Sequence, residues 1–292
     1  MTSPYAAPVL DWYQASARDL PWRRPGTSPW AVLVSEIMLQ QTPVARVLPA
    51  YAAWLARWPT PAALAADTPA EAVRQWDRLG YPRRAIRLHA IAQRVVSEHG
   101  GEVPDSAEML ATLPGIGPYT AAAVASFAFG HSHPVLDTNV RRVLGRLVTG
   151  VALPPAATSA AERRLAQSLL PAQDAVAARW SVAVMELGAL VCTAARPDCA
   201  ACPVAGQCAW RRAGRPAAAA RRTQPGYAGS DRECRGRLLA VLRAADGPVP
   251  AAVLDAAWPD PDQRARALAA LIADGLAAGR DDGTIGLPGD GA

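Results

Sequence analysis

Four of the five cysteines fall in one short stretch, Cys192-x6-Cys199-x2-Cys202-x5-Cys208. Four soft thiolates at this density suit a tetrahedral zinc or an iron–sulfur cluster, and they point to a reducing compartment rather than to a disulfide framework. Paired C-x2-C knuckles at both ends, the commonest zinc arrangement, are missing, because only Cys199 and Cys202 are so spaced. Cys234 lies outside the stretch and reads as an ordinary free thiol. The stretch is therefore a loop tied by a bound group, and the rest of the chain has to build its own core.

That remainder reads as helical. Ser3-Pro4, Ser28-Pro29, Thr42-Pro43, Thr60-Pro61 and Thr68-Pro69 each precede an apolar-periodic segment. The hydroxyl caps an orphan N–H, and proline at the first helical position has its φ preset and needs no N–H. Thr68-Pro69-Ala70-Glu71 and Ser159-Ala160-Ala161-Glu162 predict capping boxes, and Gly80, Gly100 and Gly130 predict helix ends. Alternating strand patterns are almost absent before residue 240. With 292 residues and 51% apolar side chains, the chain is globular and large enough for a main domain and a smaller companion. The Arg-, Ala-, Pro- and Gly-rich segment 211–230 reads as a basic linker. Beyond it, Arg235–Ala245, Ala251–Trp258 and Asp262–Ala273 read as three short helices, followed by a hairpin over Gly279–Ile285, which suggests a winged helix. The expected partition is a body over 1–212, a linker over 213–233 and a small domain over 234–292.

Net charge is +5, with six Arg against eight Asp in 234–292, so residues 1–233 carry +7 and favour a polyanionic partner. All 30 cations are arginine. Without lysine no side chain can form an amine-derived Schiff base. Neither a secretory leader nor an apolar run of membrane-spanning length is evident, and the expectation is a cytoplasmic protein with no membrane partner.

Three segments carry chemistry. Leu113-Pro114-Gly115-Ile116-Gly117-Pro118-Tyr119-Thr120 lies between helical stretches, where Gly115 and Gly117 permit positive φ and leave backbone N–H groups facing a phosphate; the alternative is a plain turn between packed helices. Asp137 in Val135-Leu136-Asp137-Thr138-Asn139-Val140 stands where a helix cap would stand. Arg141 and Arg142, one turn on, are placed for phosphates or solvent. Glu36 is a single charge in a helix, Pro29 to Gln41, that is apolar on nearly every face. Burial raises a carboxyl pKa toward that of a general acid, unless an arginine pairs with it.

The cysteine spacing resembles that of the endonuclease III superfamily of DNA glycosylases. Leu10-Asp11-Trp12-Tyr13, Leu20-Pro21-Trp22-Arg23, Ser35-Glu36-Ile37-Met38-Leu39-Gln40-Gln41-Thr42 and Leu79-Gly80-Tyr81 precede the hairpin, Asp137 and the cysteine loop. Together they resemble the MutY family of adenine DNA glycosylases over about residues 8 to 210. The resemblance implies an all-α helix-hairpin-helix glycosylase fold, a six-helix barrel plus an iron–sulfur domain. Cys192, Cys199, Cys202 and Cys208 would hold a 4Fe–4S cluster. It further implies a monomer that flips adenine out of duplex DNA, from mispairs with 8-oxoguanine or guanine. Glu36 would protonate the base, Asp137 would stabilise or trap the sugar cation, and Tyr119 and Asn139 would orient the pair. Gln41 and Tyr81 match the wedge opposite the flipped base, with Thr42 beside them. Arg18, Trp22, Arg23 and Leu39 match the base pocket, and Gly115, Gly117 and Arg141 the DNA contacts; Trp22 and Leu39 also suit ordinary core packing.

Three departures stand out: Pro82 replaces a second tyrosine, Val182 replaces a Glu or Gln near the adenine, and the 84 residues after Cys208 do not read like the Nudix-like reader of 8-oxoguanine. The rivals are a thymine-mismatch or oxidised-pyrimidine glycosylase and a non-catalytic, metal-bound DNA-binding regulator.

Overall fold

The computed structural model describes residues 3–218 and 226–291, so part of the expected linker lies outside the described residues. The chain divides into two compact units. One comprises Met1–Val32, Asp105–Thr112 and Ile116–Arg221, the other Leu33–Pro104, Leu113–Gly115 and Arg222–Ala292.

In the first unit the helices Ala6–Ser16, Thr138–Leu144 and Asp174–Leu190 pack on one another. Val9, Leu144, Leu147, Trp180, Val184 and Leu187 form the centre of their core. Gly188 sets how near two of these helices come, since a Cβ there would lie 2.7 Å from the Cβ of Asn139. The cysteine loop follows at the end of Asp174–Leu190, where Val191 and Val204 join the same core.

The second unit is built on Val44–Arg57, Pro61–Ala65, Pro69–Trp76 and Arg83–His99. Trp54 stacks edge-on against both Trp58 and Trp76, with centroids 4.6 and 5.5 Å away. Such pairs bring packing energy beyond their buried area. The C-terminal part of this unit has the helices Asp231–Ala244, Ala251–Asp255 and Pro261–Ala273. With them goes an antiparallel sheet of β1 (Val249–Pro250), β2 (Ala278–Gly279) and β3 (Thr284–Gly286), ordered β1-β3-β2. Three helices with a terminal hairpin are the winged-helix-like order expected; β1, two residues long, was too short to show as alternation. These are the strands found among the described residues, in a protein that is otherwise helical. No described helix is long and apolar enough to cross a membrane.

Helix starts follow the predicted chemistry where the hydroxyl has no stronger partner. Ser28, Thr60, Thr68 and Ser159 accept from N–H groups of the first turn, and Ser159-Glu162 closes a full capping box. The box at Thr68 is only half made, because the Glu71 carboxylate turns to Arg57 and Arg74. Thr42 does not cap its helix: Pro43 stands at the cap position, and the Thr42 hydroxyl accepts from Arg84. Gly100 and Gly130 end helices with left-handed φ of 62° and 77°. Gly80 does not, since its helix stops at Trp76.

Candidate active site and cysteine pocket

Asp137 uses both carboxylate oxygens. Oδ1 accepts from the Val140 amide at 2.6 Å, which makes Asp137 the cap of Thr138–Leu144, and Oδ2 accepts from Asn139 Nδ2 at 2.8 Å. The amide of Asn139 can face only one way, because Arg142 Nη2 donates to its Oδ1 at 2.6 Å and a guanidinium has no acceptor to offer. Arg142 also donates to the carbonyls of Gly188 and Cys192, both at 2.7 Å, which fixes it between the helix and the cysteine loop. Burial pushes the Asp137 carboxyl above the ordinary carboxylate range, and the bonds from Val140 and Asn139 offset this only in part. One carboxylate thus serves as helix cap while its second oxygen is held by an amide rather than by a cation.

Glu36 is buried at 6% exposure in the helix Pro29–Leu39, of which every residue from Trp30 to Met38 is buried. Tyr119 sits half-buried in the first turn of Pro118–Phe129. In the hairpin, positive φ is used at Gly115 alone, at 72°, whereas Gly117 caps the following helix at φ −90°. Gly115 is also tight: a Cβ would lie 2.9 Å from the Arg87 side chain. The expectation that Arg141 faces phosphate is corrected. Its side chain is 6% exposed and is held by Glu162 at 2.8 Å and by the carbonyls of Pro155 and Ala157 at 2.9 and 3.0 Å. Pro155 and Ala157 lie in a loop about fifteen residues on and Glu162 in the first turn of the helix after it, beyond the reach of local pattern.

The two expected base-pocket arginines share one anion. Glu186, fully buried, accepts from Arg18 Nε at 2.7 Å, Arg18 Nη2 at 2.6 Å and the Arg18 amide at 3.1 Å, while Arg23 Nη1 lies 2.8 Å from Oε2. Burial alone would raise the Glu186 carboxyl, but the Arg18 hydrogen bonds and the Arg23 charge outweigh it and hold the group down at about 2. Its sequence signal was a single acid in the apolar run Val182–Cys192; nothing nearby named the arginines. Trp22 is buried beside them in the turn Pro21–Arg23, and Leu39 is half-buried at the end of its helix.

Gln41 and Tyr81 are exposed, and Thr42 is buried. Both exposed residues have left-handed backbone, with φ of 55° and 48°. Beside them Arg84, 4% exposed, donates to the Thr42 hydroxyl and to the carbonyls of Met38, Gln40 and Gly80. Burial lowers its guanidinium to about 10. No spacing in the sequence announced it.

Cys192, Cys199, Cys202 and Cys208 line one pocket together with Pro197, Arg146 and Trp210. Arg146 closes its rim, stacked 4.6 Å from the Trp210 ring and donating to the carbonyls of Ala152, Thr193 and Ala194. Burial pushes the thiols of Cys192 and Cys202 up, the latter to about 11. Ligation by a bound cationic centre would remove those protons. Among the described residues no three of His, Cys, Asp and Glu close on one point as ligands of a single ion would.

Residues 34–168 match the HhH-GPD superfamily of base excision DNA repair proteins. The chain is 53% identical to an adenine DNA glycosylase of Mycolicibacterium smegmatis, over 97% of this chain and 96% of that one. It is also 53% identical to an adenine DNA glycosylase of Mycobacterium tuberculosis, over 97% of this chain and 93% of that one. Among solved structures, a thermostable thymine-DNA glycosylase superposes with a TM-score of 0.65 at 26% identity, covering 72% of this chain and 95% of that one. Identity at this level over nearly the whole of both chains, in a helical fold with the hairpin and the aspartate cap in place, places the protein in the adenine DNA glycosylase family of the HhH-GPD superfamily.

Proposed function

We propose that this glycosylase hydrolyses the N-glycosidic bond of adenine mispaired with 8-oxoguanine or guanine and leaves an abasic site. The observation that carries the reading is the Asp137 carboxylate, raised in pKa by burial, with its second oxygen accepting from the Asn139 amide and no ion pair among the described residues. A carboxylate without a direct counter-ion keeps its charge for a cation that arrives, here the oxocarbenium-like sugar. Glu36, in its apolar helix, protonates the base as the bond breaks, and Asp137 stabilises or traps the sugar before water attacks. Tyr119 and Asn139 orient the two. Arg18 and Arg23, fixed by Glu186, with Trp22 and Leu39, shape the base pocket. Gln41 and Tyr81 enter the stack on the partner side, with Thr42 beside them, and Gly115 and Gly117 present backbone N–H groups to phosphate.

Cys192, Cys199, Cys202 and Cys208 would hold a 4Fe–4S cluster. What supports the reading is that all four thiols line one pocket and that only Cys199 and Cys202 have the paired spacing common at zinc sites. When bound, the cluster supplies a cross-link that holds the loop. The chain works as a cytoplasmic monomer on duplex DNA, with a body over 1–212, a linker over 213–233 and an appended domain over 234–292. With no lysine in the chain, the product is an intact abasic strand.

Single-turnover excision on duplexes carrying A opposite 8-oxoguanine, A opposite G, T opposite G or an oxidised pyrimidine tests the reading. Adenine release from the first two, abolished in Glu36→Gln and Asp137→Asn while the duplex still binds, is the expected result. Release of thymine or of the oxidised pyrimidine in place of adenine would install the rival glycosylases. Binding without any release would install the regulator.

A further inference from the structure

Two non-glycine residues with left-handed backbone stand at the two expected wedge positions, Gln41 at φ 55° and Tyr81 at φ 48°. A side chain with a Cβ is disfavoured there, and it persists only where its surroundings over-determine it. One side chain ties both segments together. Nη1 of Arg84 donates to the carbonyls of Ile37, Met38 and Gln40 at 2.9, 2.7 and 2.6 Å, the last turn before Gln41. Its Nη2 donates to Thr42 Oγ1 and to the Gly80 carbonyl, each at 2.9 Å, so that it grips the residue after Gln41 and the residue before Tyr81. Its Nε reaches the Tyr81 carbonyl at 3.4 Å.

The placement has its own logic. Carbonyls at a helix C-terminus are the negative end of the peptide dipoles, so a buried cation is better tolerated there than elsewhere in a core. Trp76 supports the guanidinium from below, 5.0 Å from its ring centroid, and donates from Nε1 to the same Gly80 carbonyl at 2.8 Å. A lysine ammonium in this site would keep the charge, yet as a point donor it could not span both segments.

We propose that Arg84 is a positioning residue that locks Gln41 and Tyr81 into one preset wedge, so that the duplex meets a formed tool and not two turns that must order on contact. The proposal rests on the reading that these two residues enter the DNA stack. Preorganisation of this kind affects the step that separates the bases more than nonspecific attraction to phosphate.

A double-mutant cycle tests it, using duplexes with 2-aminopurine beside the target adenine to report unstacking and single-turnover excision to report rate. In the otherwise native protein, Arg84→Lys is expected to lower both the fluorescence rise and the excision rate by about tenfold, with affinity for undamaged duplex within about twofold. In a Tyr81→Ala background the same change is expected to cost less, about threefold, because only Gln41 is then left for it to position. Trp76→Phe, which removes only the Nε1 donation, runs the same cycle with smaller effects and decides the matter should Arg84→Lys not fold. Equal losses in both backgrounds would overturn the proposal, since a general structural role adds independently of Tyr81. If Tyr81→Ala is impaired while the Arg84 and Trp76 variants are silent, the proposal alone fails. If Tyr81→Ala matches the native protein in both readouts, the wedge reading fails and the proposal with it.

Discussion

Asp137 was legible in the sequence as a helix cap because capping is local: the carboxylate and the amide it accepts from lie three residues apart. Its second role depends on Asn139 being oriented by Arg142, and that has a pH signature. In the proposed mechanism Asp137 acts ionised, so excision is lost as pH falls through its raised pKa, and the acid limb of the single-turnover profile should lie above the ordinary carboxylate range. Asn139→Ala removes a bond that favours the charged form, and the limb should then move further up. An unmoved limb would mean that another group ionises there. Glu186 was not legible, because its partner Arg18 is 168 residues away and no local pattern joins them. Replacing it by glutamine leaves two arginines without their buried anion, and urea unfolding at neutral pH should show a loss of about 2–3 kcal/mol, at the low end because Arg18 keeps a third of its side chain in solvent. The folded value of about 2 lies below the ordinary 4.5, so this contribution is complete above pH 4.5 and fades as pH falls toward 2. The gap between native protein and Glu186→Gln should close over the same range.

At the scale of elements, what a helix needs at its own end was readable, and what it needs from a neighbour was not. Ser159 and Glu162 form the box their spacing predicts, whereas Thr42 and Glu71 are diverted by Arg84 and Arg57, which reach them from other helices, with Arg74 of the same helix also holding Glu71. Gly188 shows the same limit. In sequence it reads as a helix-weakening glycine, and in the fold it is the point where Asp174–Leu190 meets Asn139, whose carbonyl would lie 3.0 Å from an added Cβ. Backbone and Cβ atoms cannot swing aside, so Gly188→Ala should cost about 1–3 kcal/mol and displace Asn139 from Asp137. Excision should fall by at least about tenfold while thermal unfolding stays cooperative. Ser159→Ala is the contrast: about 1 kcal/mol of stability from a lost cap, with excision within about twofold of native. If the two variants lose activity in proportion to stability alone, the helix contact has no particular bearing on the site.

At the scale of the molecule, the C-terminal segment is acidic, and its place in the fold decides how its role is best tested. Arg74 donates to Asp290 at 2.7 Å and to the Ala245 carbonyl at 3.1 Å, Arg243 donates to the Asp77 carbonyl, and Asp274 pairs with both Arg83 and Arg235. Deleting the segment would unpair these groups in the unit that carries Gln41 and Tyr81, so a truncation mixes lost reading with lost support. Point changes at the hairpin tip avoid this. Asp282 closes the turn by accepting from the Thr284 amide and hydroxyl at 2.9 and 2.7 Å, which leaves Arg280 and Asp281 as the changeable tip. Two adjacent exposed carboxylates are poorly placed beside phosphate, and the net −2 of 234–292 against +7 on 1–233 directs DNA toward the rest of the chain. Discrimination between 8-oxoguanine and guanine opposite adenine should therefore rest on Gln41, Thr42 and Tyr81. Arg280→Ala with Asp281→Ala is expected to leave the ratio of excision rates for the two mispairs within about twofold, whereas Gln41→Ala should reduce it by about tenfold, as loss of a hydrogen-bonding reader does. A ratio that collapses in the hairpin variant and survives in Gln41→Ala would make the C-terminal hairpin the reader, and the acidic charge around it would then need a basic contact supplied by Arg280 alone.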